Sequence, residues 1–145
     1  MQTFLPDPSF ERSARVLDPR RLGKQWVEAF QCLRALHVPG YGWRHHRAVR
    51  MWRGHDEALA AYGVAVCGVW TRAGHADTVA GIAAELGRQP RRQPGLRGLG
   101  LLPRWLGRRA FHRAHRSALV ARNPAWYHRF FPDVPDDLPY VWPDP

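Results

Sequence analysis

Helix-start signals and the spacing of apolar residues constrain the fold of this chain more than any other feature of its sequence. Asp7-Pro8 and Asp18-Pro19 each place a capping residue before a proline. Proline fits the first turn of a helix, where its missing N–H breaks no hydrogen bond. The first pair predicts a short helix to about Val16, and the second predicts a longer helix to about His37. The second helix carries apolar residues at steps of four and three, the spacing of one buried face: Leu22, Trp26, Ala29, Leu33 and Leu36.

Similar signals predict helices along most of the remaining chain, and no segment shows the alternation that is typical of a strand. The predicted elements are a helical turn at 47–53, helices at 56–73, 77–87 and 108–122, and a short helix that begins at Asn123-Pro124. Residues 88–103 are rich in Pro, Gly and Arg and predict a flexible loop, either a solvated linker or an arm that contacts nucleic acid. Residues 132–145 predict an extended tail that Tyr140 and Trp142 hold to the body. The sequence thus predicts one all-α domain over 1–145, with about five to six helices.

The charge of the chain favours a polyanionic partner. There are 22 Lys and Arg residues against 12 Asp and Glu, a formal net charge of +10, and residues 1–132 hold all of the cations with only eight of the acids. Arginine binds phosphate in a bidentate manner, although a GC-rich genome also raises arginine content. No apolar run is long enough to span a membrane, and the N-terminus lacks the regions of a secretory signal. We therefore expect nucleic acid as the partner, no membrane, and a cytoplasmic, nucleoid-associated monomer.

The cysteines and histidines give no clear metal motif. Cys32 and Cys67 stand alone and predict buried thiols, with a disulfide or a metal role as the alternative. His112 and His115 share one helical face, but no carboxylate or cysteine stands at a supporting spacing, so we predict no metal site. These two histidines suit a phosphate contact or a proton transfer near neutral pH better.

The segment 123–131 combines four aromatic rings with two potential cations in one short helix. Rings that stack on bases and cations that meet phosphate are typical of nucleic-acid surfaces. Two interpretations stay open. In one, Trp126, Phe130 and Phe131 only fill the core, and in the other, Tyr127 and Arg129 face outward and bind nucleic acid.

The polar side of the long second helix is a further candidate surface. Arg21, Lys24, Gln25 and Glu28 fall together on the side away from the apolar stripe. Such a face is either simply solvated or functional.

The order of these segments resembles the phage-type pyrimidine-dimer DNA glycosylases, also called endonuclease V. The sharpest match is Asn123-Pro124-Ala125-Trp126-Tyr127, since the family carries Pro-x-Trp-Tyr followed by further aromatic residues. Residues 17–28 resemble the bacterial branch, which reads Leu-Asp-x-x-Arg-Leu-Gly-Lys-Gln-x-x-Glu, and residues 1–6 and 136–143 also look like that branch. A weaker match runs from 49 to 78. Together these matches cover most of the chain except the loop at 88–103.

The resemblance implies excision of a damaged base from duplex DNA without a cofactor. In the family the α-amine of the first residue attacks the deoxyribose carbon that bears the damaged base and forms a Schiff base, a carboxylate assists, and β-elimination can then cut the strand. An α-amine titrates near about 8, so an unprotonated nucleophile is available near neutral pH. The phage enzymes expose a Thr amine after removal of the initiator Met. Here the bulky Gln2 is expected to block that removal, so the Met1 amine is the candidate nucleophile.

The catalytic acid of the phage enzymes has no direct counterpart in this sequence, which has Arg20-Arg21 at that place. Glu28, two turns along on the face of Arg21, is the best substitute, and Asp18 is a weaker one because a helix cap already accounts for it. A salt bridge between Lys24 and Glu28 at i,i+4 is the alternative role for Glu28.

By position, the resemblance makes Met1, Glu28 and Arg21 the candidate catalytic residues. It implies that the target nucleotide is extruded from a kinked duplex. The activity that it implies is a DNA glycosylase with AP-lyase activity, with pyrimidine dimers as the default lesion. The alternatives are a non-catalytic DNA- or RNA-binding protein on the same scaffold and a nuclease that uses the histidines. The candidate DNA-binding residues are Arg20, Lys24, Gln25, His112, His115, Arg116, Trp126, Tyr127 and Arg129.

Overall fold

Eight helices and the loops between them make up residues 1–144, the part of the chain that the computed structural model describes. These residues contain no strand, and five of the helices have seven or more residues, so the predicted all-α fold is confirmed. None of the helices in this part of the chain is both long and apolar enough to cross a membrane. The helices are α1 (Phe10–Val16), α2 (Pro19–His37), α3 (Arg47–Arg50), α4 (Asp56–Arg72), α5 (Val79–Leu86), α6 (Gln93–Gly98), α7 (Arg109–Arg122) and α8 (Pro124–Tyr127).

The long helix α2 forms as its sequence predicts. Asp18 is the N-cap, and its Oδ1 accepts a hydrogen bond from the Arg21 backbone N at 2.8 Å. Leu22, Ala29 and Leu33 of the apolar stripe are buried, and this face packs on α4. Gly23 of α2 allows the two helices to pack closely. A Cβ at this position would lie only 3.0 Å from the Trp70 ring of α4.

Aromatic side chains form the centre of the core. Phe10 of α1 meets Trp52 and Tyr62 at ring-centroid distances of 6.3 and 5.7 Å, and Trp52 meets Trp105 at 5.0 Å. Phe111 of α7 continues the cluster, 4.9 Å from Trp105. These rings join α1, α4 and α7 into one core although the residues are far apart in sequence.

Residues 1–6, which we call the N-terminal segment, form no helix and yet enter this core. The Phe4 N donates to Gln25 Oε1 at 2.6 Å, and Trp52 Nε1 donates to Thr3 Oγ1 at 3.0 Å. The Tyr62 hydroxyl lies 2.8 Å from the Phe4 carbonyl oxygen. Because the backbone of the segment has no helical partners of its own, buried side chains supply its hydrogen bonds.

Two helix starts differ from the prediction. Helix α1 begins at Phe10 with Ser9 as its N-cap, while Asp7 accepts hydrogen bonds from Ser9 N at 2.7 Å and Arg12 Nε at 3.0 Å. Helix α5 begins after Thr78, and Asp77 Oδ1 accepts from Val79 N at 2.9 Å without occupying the cap position. In both cases the predicted aspartate bonds to a backbone N–H near the helix start from outside the cap position.

The largest correction concerns residues 88–103, where the prolines and glycines were expected to exclude a helix. The structure places helix α6 there, with Leu96 fully buried. Gln93 fixes the helix to α1, because its Oε1 accepts from Phe10 N at 2.8 Å and its Nε2 donates to the Pro8 carbonyl at 2.7 Å. The flexibility of the rest of this segment stays a prediction.

The tail after α8 contains no helix in residues 132–144, and residue 145 of the predicted tail lies outside the described residues. Leu138 N donates to Ser117 Oγ at 3.0 Å, and Tyr140 packs edge-on against His115 at 5.5 Å. Trp142 lies 6.4 Å from His46, measured between ring centroids. The tail therefore crosses the body next to the N-terminal segment.

Candidate active site

A cleft of about 380 Å³ opens where the N-terminal segment, the start of α2 and the tail meet. It collects the three candidate catalytic residues, three candidate DNA-binding residues, and six residues that the sequence did not single out for the site. Its walls are formed by Met1, Gln2, Phe4, Arg20, Arg21, Lys24, Gln25, Glu28, His46, Arg122, Tyr140 and Trp142.

The first residue and the candidate acid lie together in this cleft. Glu28 Oε2 accepts a hydrogen bond from the Gln2 backbone N at 3.1 Å and another from Gln25 Nε2 at 3.2 Å. The Met1 side chain contacts the Cys32 thiol, with 3.5 Å between the two sulfurs. Among the described residues Glu28 has no cationic partner within 4.0 Å, so the alternative salt bridge to Lys24 does not form. The carboxylate stays available beside the chain terminus.

The charges of the Met1 amine and of Glu28 also affect the pKa values of two neighbouring side chains, His46 and Cys32. Burial, and then the positive charge of the Met1 amine, lower the pKa of His46, while Glu28 acts in the opposite direction. Burial, and then the charge of Glu28, raise the pKa of the Cys32 thiol to about 12. At neutral pH the thiol is therefore protonated and does not compete as a nucleophile. His46 is uncharged, and its proton sits on Nε2 because Nδ1 accepts from Ala48 N at 3.1 Å.

Arg21 is fixed in the cleft wall by Asp18. Its Nη1 lies 2.6 Å from Asp18 Oδ2, and Asp18 N donates to the Tyr127 hydroxyl at 3.0 Å. Burial acts to raise the pKa of Asp18, but the hydrogen bonds from Arg21 and Tyr127 outweigh it and hold the pKa below its ordinary value. Asp18 is thus a partner of Arg21 and does not line the cleft, which removes it as the alternative acid.

Three predicted DNA contacts are instead buried in the fold. His112 Nδ1 donates to the Leu5 carbonyl at 2.7 Å, and His115 Nδ1 accepts from Leu5 N at 3.0 Å. The hydroxyl of Tyr127, which is also fully buried, holds the start of α2. None of the three reaches the surface of the protein, so direct contact with a DNA backbone is excluded in this conformation. The same burial removes the accessible imidazole pair that a histidine-dependent nuclease needs.

Gln25 is also buried, although it touches the cleft. Its Oε1 accepts from Phe4 N, and its Nε2 donates to Glu28 Oε2 at 3.2 Å. The side chain therefore links the N-terminal segment to the candidate acid and acts as a positioning residue.

The aromatic segment at 123–131 fits neither interpretation in full: Arg129 is exposed, as the second interpretation expected, but Tyr127 is buried, and Phe130 does not fill the core. Tyr127 points inward and Phe130 is 42% exposed, while the helix itself ends at Tyr127. Trp126 is anchored through Nε1 to the Val16 carbonyl at 2.9 Å, and the Arg129 guanidinium lies 4.3 Å from its ring centroid. This cluster of ring and cation lies outside the cleft.

Arg116 likewise lies outside the cleft and has a structural partner. Its Nε donates to the Pro6 carbonyl at 2.7 Å, and its guanidinium stands 5.4 Å from the Phe131 ring centroid. Arg116 therefore holds the end of the N-terminal segment.

Six residues of the cleft were not predicted as site residues: Gln2, Phe4, His46, Arg122, Tyr140 and Trp142. Arg122 closes one wall with its guanidinium 5.2 Å from the Phe4 ring centroid. The only sequence signals were the pair His45-His46 and the two aromatic rings of the tail, and neither signal gives a position relative to the terminus.

The described residues contain no group of three or more His, Cys, Asp or Glu side chains that could hold a metal ion. Cys32 and Cys67 are both buried and free, as predicted.

The fold and the cleft define a small helical protein with a cationic site that suits a nucleic acid. Comparison with protein families identifies it further. Residues 1–80 match the model of the family described as pyrimidine dimer DNA glycosylase, and since the match covers more than half of the chain, the protein belongs to that family. Comparison with curated proteins and with solved structures gave no match. The family match includes Met1, Arg21, Glu28 and His46 and ends before Arg122 and the tail.

Proposed function

We propose that this DNA glycosylase excises a pyrimidine-dimer base from duplex DNA through a Schiff base on the Met1 amine and then cuts the strand as an AP lyase. One observation carries the proposal. Glu28 Oε2 accepts a hydrogen bond from the backbone nitrogen of Gln2 at 3.1 Å, so a carboxylate that has no ion-pair partner in residues 1–144 lies beside the first residue in a cationic cleft.

The chemistry proceeds in two steps on one deoxyribose, a substitution at C1′ and then an elimination across C2′ and C3′. The neutral Met1 amine attacks C1′ of the deoxyribose, and the bond from C1′ to the base nitrogen breaks. The base takes the electron pair and a proton, and it stays joined to the neighbouring pyrimidine through the cyclobutane ring. Opening of the sugar ring leaves a protonated Schiff base between the Met1 nitrogen and C1′. Loss of a proton from C2′ then expels the 3′ phosphate and cuts the strand. Glu28 is the group that carries protons in these steps, because it is the carboxylate of the cleft lining and it bonds to the N–H of the residue that follows the amine.

The cations of the cleft bind the DNA backbone in this proposal. Arg20 and Lys24 are exposed at the rim, and Arg21 is pre-oriented by Asp18. An amine inside a cleft reaches C1′ only if the nucleotide leaves the stack, so we expect extrusion of a nucleotide and a kinked duplex. Arg129, Trp126 and the exposed Phe130 provide a second contact surface outside the cleft.

The remaining predicted residues act as positioning residues. His112, His115, Gln25 and Arg116 bond to the backbone of residues 4–6 and so set where the amine lies. Tyr127 holds the cap of α2. We propose a monomer that needs no cofactor, since every group in the mechanism comes from this chain.

Borohydride trapping tests the proposal. The protein is mixed with a duplex that contains one cis-syn thymine dimer and with a duplex that contains one abasic site, and intact mass first establishes that Met1 is retained. We expect a covalent adduct on both substrates, and its loss when the α-amine is acetylated. Glu28→Gln keeps an acceptor for Gln2 N and removes the charge, so it should lower the rate of base excision by at least about a hundredfold. Glu11→Gln, which removes an exposed acid far from the cleft, is the matched control.

The opposite results separate the alternatives. Salt-dependent binding without any trapped adduct would support the non-catalytic DNA-binding protein. Activity that survives acetylation of the α-amine would show that another nucleophile acts.

A further inference from the structure

The side chain of Gln2 has no hydrogen-bond partner in the part of the chain that the structure describes. The residue is only 5% exposed, and both polar atoms of its carboxamide are shielded from solvent and lack a hydrogen bond within the described residues. Its neighbour Thr3 is bonded to Trp52, and Gln25 is bonded on both ends. A buried amide without partners reduces stability, so its presence in a cleft wall points to a ligand.

Tyr140 shows the same property at the same cleft. Its hydroxyl is buried without a hydrogen-bond partner in the described residues, and its ring is held between His115 at 5.5 Å and Trp142 at 5.1 Å. The cleft thus combines two kinds of wall. Arg20, Lys24 and Arg21 suit phosphate, whereas Gln2 and Tyr140 offer neutral donors and acceptors beside aromatic rings.

We propose that Gln2 and Tyr140 recognise the polar edge of the pyrimidine base that leaves, and so determine which base is excised. This inference rests on the proposed function. A carboxamide offers both donors and an acceptor, the complement of a pyrimidine edge on which an N–H stands between carbonyl oxygens. The base also departs next to this side chain, because Gln2 follows Met1 directly and consecutive Cα atoms lie about 3.8 Å apart. A rotation of the Gln2 side chain on base entry gives its unpaired atoms their partners.

A site whose polar groups are paired only by the correct ligand discriminates strongly against a ligand that leaves them unpaired. An abasic site lacks the base altogether. Cleavage of an abasic duplex therefore uses the amine and Glu28 but not the recognition by Gln2 and Tyr140, so the two substrates separate recognition from chemistry.

Gln2→Met tests the inference. Methionine has a similar length and no hydrogen-bonding amide, and a large second residue keeps Met1 in place, which intact mass verifies. We expect the rate of base excision from the thymine-dimer duplex to fall by about tenfold or more, with cleavage of the abasic duplex unchanged. We expect the thermal midpoint to stay the same or rise, since an unpaired buried amide is removed. Tyr140→Phe should show the same split between substrates, and Gln89→Met, at an exposed glutamine, is the matched control.

Each other outcome overturns the inference in a distinguishable way. Unchanged excision in Gln2→Met means that the amide does not contact the base. A parallel loss on both substrates means that the side chain only positions the terminus. Wild-type protein that is inactive on both duplexes rejects the proposed function itself.

Discussion

Two histidines illustrate how single residues position this cleft. His112 donates through Nδ1 to the Leu5 carbonyl and accepts through Nε2 from Gly107 N at 2.8 Å, a pattern that requires the neutral ring. His115 accepts from Leu5 N through Nδ1, so the proton of its neutral ring sits on Nε2. Burial is the main cause that lowers the pKa of both rings, that of His115 to about 3. Their function in the fold therefore depends on their staying uncharged.

This dependence predicts loss of stability in mild acid. The pKa of His115 is lower in the folded state than the ordinary 6.5, so its contribution is complete above pH 6.5 and falls as the pH decreases toward about 3. Over that window His115 alone should reduce the free energy of unfolding by about 1.4 kcal/mol per pH unit. Urea unfolding at several values between pH 7 and 4.5 measures the slope.

A matched pair of variants isolates the effect of this ring. His115→Gln retains a possible acceptor for Leu5 N but does not titrate, so its slope should be flatter by the His115 contribution. His45→Gln, at an exposed histidine, should leave the slope unchanged. Equal slopes in wild type and His115→Gln would contradict the prediction.

The sequence predicted the location of the candidate catalytic residues better than the direction in which His112 and His115 face. Spacing on α2 and the family resemblance brought Arg21 and Glu28 to one face, and the structure places both in the cleft with Met1. For His112 and His115 the i,i+3 spacing shows only that the two rings share a face. Phe111 and Leu119 on α7 gave the missing signal, because with His115 they mark that face as the one turned to the core.

At the scale of elements, the contact between α8 and the start of α2 stabilises one wall of the cleft. The Tyr127 hydroxyl accepts from Asp18 N at 3.0 Å, and Asp18 in turn caps α2 and holds Arg21. A short helix near the C-terminus therefore fixes a candidate catalytic residue near the N-terminus.

Removal of one hydroxyl at this junction should destabilise the protein. Tyr127→Phe leaves the buried N–H of Asp18 without a partner, which costs about 1–3 kcal/mol of unfolding free energy. It should also raise the pKa of Asp18, because the bond to Tyr127 is one of the causes that lower it. Chemical denaturation measures the first effect. Tyr41→Phe, at a partly exposed tyrosine, serves as the control, and an equal change in both variants would show that the junction has no special role.

The segment at 88–103 contains helix α6, although its sequence predicts a loop. Its glycines and prolines are typical helix breakers, yet Pro94 stands in the first turn, where proline is tolerated. This start differs from the Asp-Pro start of α2, because Arg92 is the N-cap without a side-chain hydrogen bond and Pro94 stands one position later. What the sequence could not show is the tertiary contact, in which Leu96 is buried and Gln93 bonds to the start of α1.

At the scale of the whole molecule, the positive charge is not equally available everywhere. Arg88 and Arg91 both pair with Glu57, and Arg15 and Arg72 share Glu11. Arg20 and Lys24 at the cleft have no acidic partner among the described residues. Arg20 and Lys24 are therefore available to phosphate, whereas the four arginines at Glu57 and Glu11 are already paired.

This difference predicts a site-specific salt dependence of DNA binding. The double variant Arg20→Gln/Lys24→Gln should reduce the slope of log affinity against log salt by about 2, since about one counterion is released per phosphate contact. Arg88→Gln/Arg91→Gln removes the same charge at paired positions and should leave the slope unchanged. Fluorescence anisotropy over a salt series measures both. An equal loss in the two variants would favour the arm interpretation of residues 88–103.

The anchoring of Thr3, Phe4 and Leu5 also sets the distance from these residues to the Met1 amine. One residue added ahead of Thr3 would leave every helix and every buried ring in place and carry the leading amine about 3.5 Å farther along its path. In the proposed chemistry that displacement moves the nucleophilic amine away from the Glu28 carboxylate, while the protein stays folded. If the proposed chemistry holds, a variant with one residue inserted ahead of Thr3 should therefore be well folded but inert.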